Sequence, residues 1–201
     1  NKSDKVLFTI AIVVVLVALI NLGITFYKFG GVDKLTGRAT SDTGIANLSI
    51  QSVIAVNFTT NLIDWGDGAV AAPFAFATLD SSNDTKTNWN GSSNNVGLIL
   101  QNDGNVNAMI NLSADKDAAG FIGGSTPLFQ MQAINVSGTE GCMTGPFTTY
   151  WNGNTTSRTY CSNLSYMNAY DSLRVNVRVA IPSDANVGTK TTTITVTALG
   201  V

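Results

Sequence analysis

The sequence predicts a long apolar α-helix at the N-terminus followed by an all-β sandwich, and three observations carry that expectation. Residues 6–27 hold 18 apolar side chains and no charge. Downstream, apolar and polar residues alternate over short stretches, the signature of strands with one wet face. Turn-forming clusters such as Gly66-Asp67-Gly68, Asn102-Asp103-Gly104 and Gly123-Gly124 divide those stretches.

A polar lead, Asn1-Lys2-Ser3-Asp4-Lys5, precedes the apolar run. As a helix the run spans about 33 Å, close to the ~30 Å hydrocarbon core of a bilayer. Only Thr9, Asn21, Gly23 and Thr25 interrupt it, so it has no polar face with which to lie on a soluble core. The β-branched stretch Ile12-Val13-Val14-Val15 is a weak helix former in water. In lipid, however, a segment must satisfy its own backbone and therefore coils. Lys2 and Lys5 before the run, with Lys28, Lys34 and Arg38 after it, set no clear orientation. A cleaved secretory signal is the simpler alternative, although the run is longer than a usual signal core.

Such a helix either stays in the membrane as an anchor or packs against copies of itself in a filament core. Leu7, Ile10, Val14, Val17, Asn21, Gly23 and Ile24 are the expected packing positions. Asn21 brings an amide that wants a partner, and Gly23 lets backbones approach. Residues 1–29 are assigned to this helix. The glycine-interrupted residues 30–44 (Gly30, Gly31, Gly37, Gly44) form a linker, and 45–201 form the β domain.

Four alternating runs mark strands in that domain. Leu48, Ile50, Ile54, Val56 and Phe58 share one parity and Asn47, Ser49, Gln51, Asn57 and Thr59 the other. Val106, Ala108, Ile110 and Leu112 alternate with Asn105, Asn107 and Asn111. Leu173, Val175, Val177 and Val179 alternate with Arg174, Asn176 and Arg178, and Ile194, Val196 and Ala198 with Thr193, Thr195 and Thr197. Half-buried strands without a helical period describe a sandwich.

Composition narrows the function. The net charge is −2 with no basic cluster, which argues against nucleic acid as a partner. There is no histidine and one glutamate, Glu140, so the commonest general acid/base and metal ligand are missing. No nucleophile elbow, phosphate-binding loop or dinucleotide fingerprint occurs. The expectation is a chain that is not an enzyme and takes no cofactor or metal. Asp64-Trp65-Gly66-Asp67-Gly68 and Asp115-Lys116-Asp117 are the dense acidic groupings. Neither has the Asp/Asn ladder with a closing Glu of a calcium loop, so turns with capping aspartates are expected, with calcium as the alternative.

Asn-x-Ser/Thr occurs at Asn47, Asn57, Asn83, Asn90, Asn111, Asn135, Asn154 and Asn163. Chance gives about four in a chain this rich in Asn, Ser and Thr. Asn47, Asn57 and Asn111 fall on the polar parity of their runs, where a glycan projects into solvent. Asn83, Asn90 and Asn154 lie in loop-like sequence, and Asn135 and Asn163 in less certain strands. N-glycosylation places the bulk of the chain outside the membrane and its N-terminus inside; an accident of composition is the alternative. Cys142 and Cys161 are the only cysteines, and an exported β domain of this kind pairs them, tying a local excursion. Within that excursion Phe147, Tyr150, Trp151 and Tyr160 form either a small satellite core or a sticky surface.

The order of parts, a polar lead, one apolar helix and a sequon-rich β domain, resembles archaeal type IV pilin-like filament subunits, the archaellins included. Where bacterial-type pilins carry a glutamate near the helix start, this chain has Asp4 followed by Lys5. The closing stretch, Asp171-Ser172-Leu173 through Ile181-Pro182 and on to Ile194-Thr195-Val196, is similar to the last strand pair of Ig-like archaeal exterior domains. The resemblance implies an Ig-like sandwich and an adhesive, extracellular structural subunit. Its partners would be copies of itself in a helical filament and, before assembly, the membrane. The alternative from another class is a single-pass cell-surface glycoprotein whose β domain binds a ligand, a carbohydrate or another cell's surface.

Overall fold

The computed structural model describes residues 2–29, 47–92, 95–136, 141–145 and 148–201. The expected linker, residues 30–44, lies outside the described residues, as do Glu140 and Phe147. The chain divides into two compact units, Asn1–Ser49 and Ile50–Val201.

The first unit is the helix α1, Lys2–Phe29. Its few polar side chains fold back onto the helix itself. Thr9 Oγ1 donates to Lys5 O at 2.8 Å, Asn21 Nδ2 to Val17 O at 3.0 Å and Thr25 Oγ1 to Asn21 O at 2.8 Å. Each donor is thereby satisfied without water, which suits an apolar surrounding.

The second unit is all-β apart from one helical turn, so the chain is an apolar helix followed by a β-sandwich, as the patterning predicts. Its elements are β1 (Val56–Thr60), β2 (Phe76–Asp80), β3 (Thr85–Thr87), β4 (Leu98–Asn102), β5 (Ala108–Ala114), α2 (Ala118–Phe121), β6 (Leu128–Asn135), β7 (Trp151–Asn152), β8 (Arg158–Leu164), β9 (Ser172–Pro182) and β10 (Ile194–Gly200). All the described pairings are antiparallel.

Strand β9 organises a seven-stranded sheet. Along one edge it pairs with β6, from Asn135↔Leu173 to Leu128↔Ala180, and β6 in turn holds β7. Along the other edge β4 and β2 lie end to end, β4 opposite residues 172–175 and β2 opposite 178–182. Strand β1 extends the sheet from β4, and β3 from β2. The second sheet has the order β10-β5-β8. The free edge of β8 is covered by residues 141–144, through Met143 N–H to Asn163 O (2.8 Å) and Ser165 N–H to Gly141 O (2.9 Å).

The two sheets share one core. Leu79, Leu98, Leu100, Phe129, Met131, Leu173, Val175, Val177 and Val179 from the larger sheet meet Ile110, Leu112, Tyr160 and Leu164 from the smaller. At about 1.5–3 kcal/mol for each fully buried aliphatic side chain, this face holds the sandwich closed.

Where β2 and β4 abut, β9 has no continuous partner, and Ser81 fills the gap. Its N–H donates to Val177 O (3.0 Å) and its Oγ accepts from Val177 N–H (2.8 Å). Ser81 is fully buried. Ser81→Ala is expected to cost about 1–3 kcal/mol by orphaning the Val177 amide. Urea denaturation checks this, and an unchanged midpoint would contradict it. Gly97 enters the same seam at φ +76°, where an added Cβ would stand 2.6 Å from Asn176 Oδ1.

Three expectations are corrected. The first alternating run does not form one strand: β1 begins at Val56, and Leu48 and Ile50 are 85% and 79% exposed. The backbone of residues 51–53 is instead held by Asn105. Val53 N–H donates to Asn105 Oδ1 (2.7 Å), Asn105 N–H to Val53 O (3.0 Å) and Asn105 Nδ2 to Gln51 O (2.9 Å). Second, Asn176 has the polar parity of β9 but is 0% exposed, because Gly97 closes over it and Gln132 lies opposite. Third, β9 and β10 do not pair as a final hairpin would. They belong to different sheets, with β10 paired to β5 from Ile194↔Ala114 to Gly200↔Ala108.

Candidate assembly helix and surfaces of the β domain

From Val6 to Tyr27 every large apolar side chain of α1 is exposed. Ser3–Lys28 is long and apolar enough to cross a membrane, and a signal sequence near an N-terminus meets the same description. Leu7, Ile10, Val14, Val17, Asn21 and Ile24 are spaced three and four apart and so share one stripe. Gly23 stands on the opposite side of the helix, so the seven expected packing positions do not make a single face. Asn21 spends one of its two amide hydrogens on Val17 O, which leaves the other and its oxygen for a neighbour.

The sequon asparagines divide by environment. Asn47, Asn57, Asn83, Asn90 and Asn154 are exposed. Two of these use their side-chain oxygen locally: Asn90 Oδ1 accepts from Ala69 N–H (2.6 Å) and Asn154 Oδ1 from Thr156 N–H (2.9 Å). Asn111 points to the outer side of β5 but is only half-exposed, because it sits in the middle strand between Thr159 and Thr197. Asn111 Oδ1 and Asn163 Oδ1 are buried without a hydrogen bond. Asn135 is half-buried and accepts from Cys142 N–H at 2.8 Å. Glycopeptide analysis of native protein is expected to find Asn57, Asn83 and Asn154 modified and Asn135 and Asn163 bare. Unmodified peptides across the first three would contradict that placement.

Cys142 and Cys161 form the disulfide. It does not tie an isolated excursion. Both cysteines belong to the main core, Cys161 opposite Ile110 in β8 and Cys142 bridged to Leu164. The bond straps residues 141–145 onto the edge of the smaller sheet. A stable disulfide fits an oxidising, extracytoplasmic compartment.

The aromatics between the cysteines part company, because neighbours on a strand face opposite ways. Tyr160 is buried in the main core and Trp151 packs against it, with the Arg158 guanidinium 3.1 Å from the Trp151 ring centroid. Tyr150 lies on the other side of the sheet. Its hydroxyl donates to Asp80 Oδ1 (2.6 Å), and Arg178 stands 4.1 Å from its ring centroid. Burial, with the Asp80 carboxylate beside it, pushes the Tyr150 phenol above its ordinary range. Arg178 Nε donates to Gln130 Oε1 (3.2 Å), and Gln130 Nε2 to Asn152 Oδ1 (3.1 Å). These three aromatics therefore form neither a separate satellite core nor a common platform. The spacing between the cysteines gave no sign of this network.

The carboxylates are held in turns. Asp64 Oδ1 accepts from Gly66 N–H (2.8 Å), and Asp117 caps α2 through Gly120 N–H (2.7 Å). Asp115 accepts from the Thr193 amide and Thr192 hydroxyl, and Asp184 from the hydroxyl and amide of Ser125. Those bonds hold both carboxyls below their usual range. The Lys86 ammonium and the Asn95 amide do the same to Asp84. Among the described residues no three acidic or cysteine side chains converge as a metal site would require. A shallow groove lined by Asp117, Ala118, Pro127, Leu128, Phe129 and Gly153 contains one carboxylate, and that one is the α2 cap.

Compared with known protein families, curated proteins and solved structures, the chain matches none.

Proposed function

We propose that this chain is the structural subunit of an extracellular filament of the archaeal type IV pilus kind, polymerising through α1. The observation that carries this is a helix whose large apolar side chains are exposed on every side. Such a surface is stable only in lipid or against other apolar surfaces, so the helix waits in the membrane and is then buried among its copies. A repeated head-to-tail contact of this type does not close and grows an open helix. The β domain is the outer layer, kept rigid by its disulfide and made soluble by N-linked glycans in place of charge. No catalysis is assigned to it.

Filaments sheared from cells that produce the protein are expected to contain this chain as the major species. Recovery of the chain only as monomers in detergent-extracted membranes overturns the proposal in favour of a single-pass surface glycoprotein.

A further inference from the structure

Among the described residues five strands stand at sheet edges, and four of them are guarded. β3 is three residues long and carries Lys86, β7 is two residues long, and β1 shifts register between Phe58 and Thr60. The outer edge of β8 is covered by residues 141–144. Short length, a charge, an irregularity or a cover each keeps an edge from recruiting another strand. β10 has none of these. Ile194–Gly200 is seven residues long, pairs with β5 without a register shift, and holds neither charge nor proline.

Asp115 N–H donates to Thr193 O (3.0 Å) at one end of the β10–β5 pair, and Val201 N–H to Asn107 O (3.1 Å) at the other. Odd-numbered residues of β10 therefore bond β5, and Ile194, Val196 and Ala198 aim their N–H and C=O groups away from it. Their side chains pack against the core yet are only half-buried, whereas Ala114, Leu112 and Ile110 opposite them are buried. β1 borders the same side of the sandwich. A Cβ on Gly200 would stand 2.9 Å from Ile54 Cδ1, and Val56 and Phe58 are half-buried too. An added strand would bond the free backbone of β10 and cover this apolar row together.

We propose that the free edge of β10 takes residues 47–51 of a second copy of the chain as an added strand; the proposal rests on the filament reading above. The edge selects a strand by its backbone groups, and apolar character comes second. Asn47-Leu48-Ser49-Ile50-Gln51 alternates as a strand with one apolar face, carries no charge, and forms no strand within its own chain. Leu48 and Ile50 are exposed there. In the added strand they would complete the row of Ile194, Val196 and Ala198, and Asn47, Ser49 and Gln51 would lie beside the exposed Thr195 and Thr197. Pairing of β10 with its twin would bond the same edge but close a two-fold dimer. A strand handed from each copy to the next leaves the contact open, as a filament requires.

Hydrogen exchange on the full chain, in detergent monomer and in polymer formed by detergent removal, tests this without any substitution. The amides of residues 47–51 and of Ile194, Val196 and Ala198 are expected to exchange at least about tenfold more slowly in polymer than in monomer. Leu48→Asp combined with Ile50→Asp is expected to lower the sedimenting polymer at least about tenfold, because it sets two charges against the apolar row. Val187→Asp, in the β9–β10 loop, assembles as the parent does. Protection of β10 with free exchange at residues 47–51 would assign the edge to its twin. Protection of both already in the monomer would place the added strand within one chain. Either result overturns the proposal, as does full assembly by a folded double variant. Equal exchange in polymer and monomer also overturns it and leaves the filament reading standing. A chain that stays monomeric contradicts that reading and this contact with it.

Discussion

A Val14→Asp chain is expected to lose assembly while its β domain folds as in the parent. Val14 sits midway along α1, inside the stripe formed by Leu7, Ile10, Val17, Asn21 and Ile24. An aspartate at the centre of a spanning helix costs about 2.5–3.5 kcal/mol on insertion. That is roughly a hundredfold in the equilibrium, since each 1.4 kcal/mol is tenfold. Packed against neighbouring helices the same carboxylate meets no cation, because no lysine or arginine lies between residues 6 and 27. The penalty therefore falls on both the lipid and the filament state. Membrane flotation and polymer yield measure it, with Val14→Leu as the neutral companion. Undiminished polymer from Val14→Asp would show that α1 is not at an apolar contact.

The second large effect is on the disulfide. Replacing Cys142 and Cys161 by serine is expected to lower the stability of the β domain by about 3 kcal/mol, the loop-closure value for a bridge of this span. Cys161 is fully buried opposite Ile110, and Cys142 holds the segment that covers the free edge of β8. Loosening is thus expected to spread from residues 141–145 into β8 and β5, and not to stop at the enclosed loop. Urea denaturation gives the magnitude, and hydrogen exchange gives the location. A loss below about 0.5 kcal/mol, with exchange unchanged in β8, would mean that the core alone holds this sheet.

How far the fold was legible follows from what alternation encodes. It specifies which side chains face inward, and in β5 and β9 the apolar sets Ala108, Ile110 and Leu112 and Leu173 to Val179 are buried as the parity requires. It does not specify a hydrogen-bonding partner. Leu48 and Ile50 alternate as a strand would, yet the turn at Asn105 captures the following backbone, and those side chains stand in solvent. Parity also fails where another segment roofs the wet face, as Gly97 does over Asn176. Strands β2 and β4 offer no alternation to read, since Phe76-Ala77-Thr78-Leu79-Asp80 and Leu98-Ile99-Leu100 put apolar residues on both parities.

Of the candidate surfaces, α1 is legible as an apolar helix, which is a property of composition, although Gly23 does not share the stripe of the other six expected packing positions. The sequons were legible as positions but not as environments: Asn135 and Asn163 differ from Asn57 in what packs around them, and spacing carries no such information.

The central claim is that α1 is an assembly element, and electron cryomicroscopy of the full chain after detergent removal tests it most directly. A helical polymer with the α1 helices bundled along its axis and the β domains outside is the expected result. Single chains held in lipid or detergent by α1, or a polymer in which α1 lies away from the axis, would contradict it.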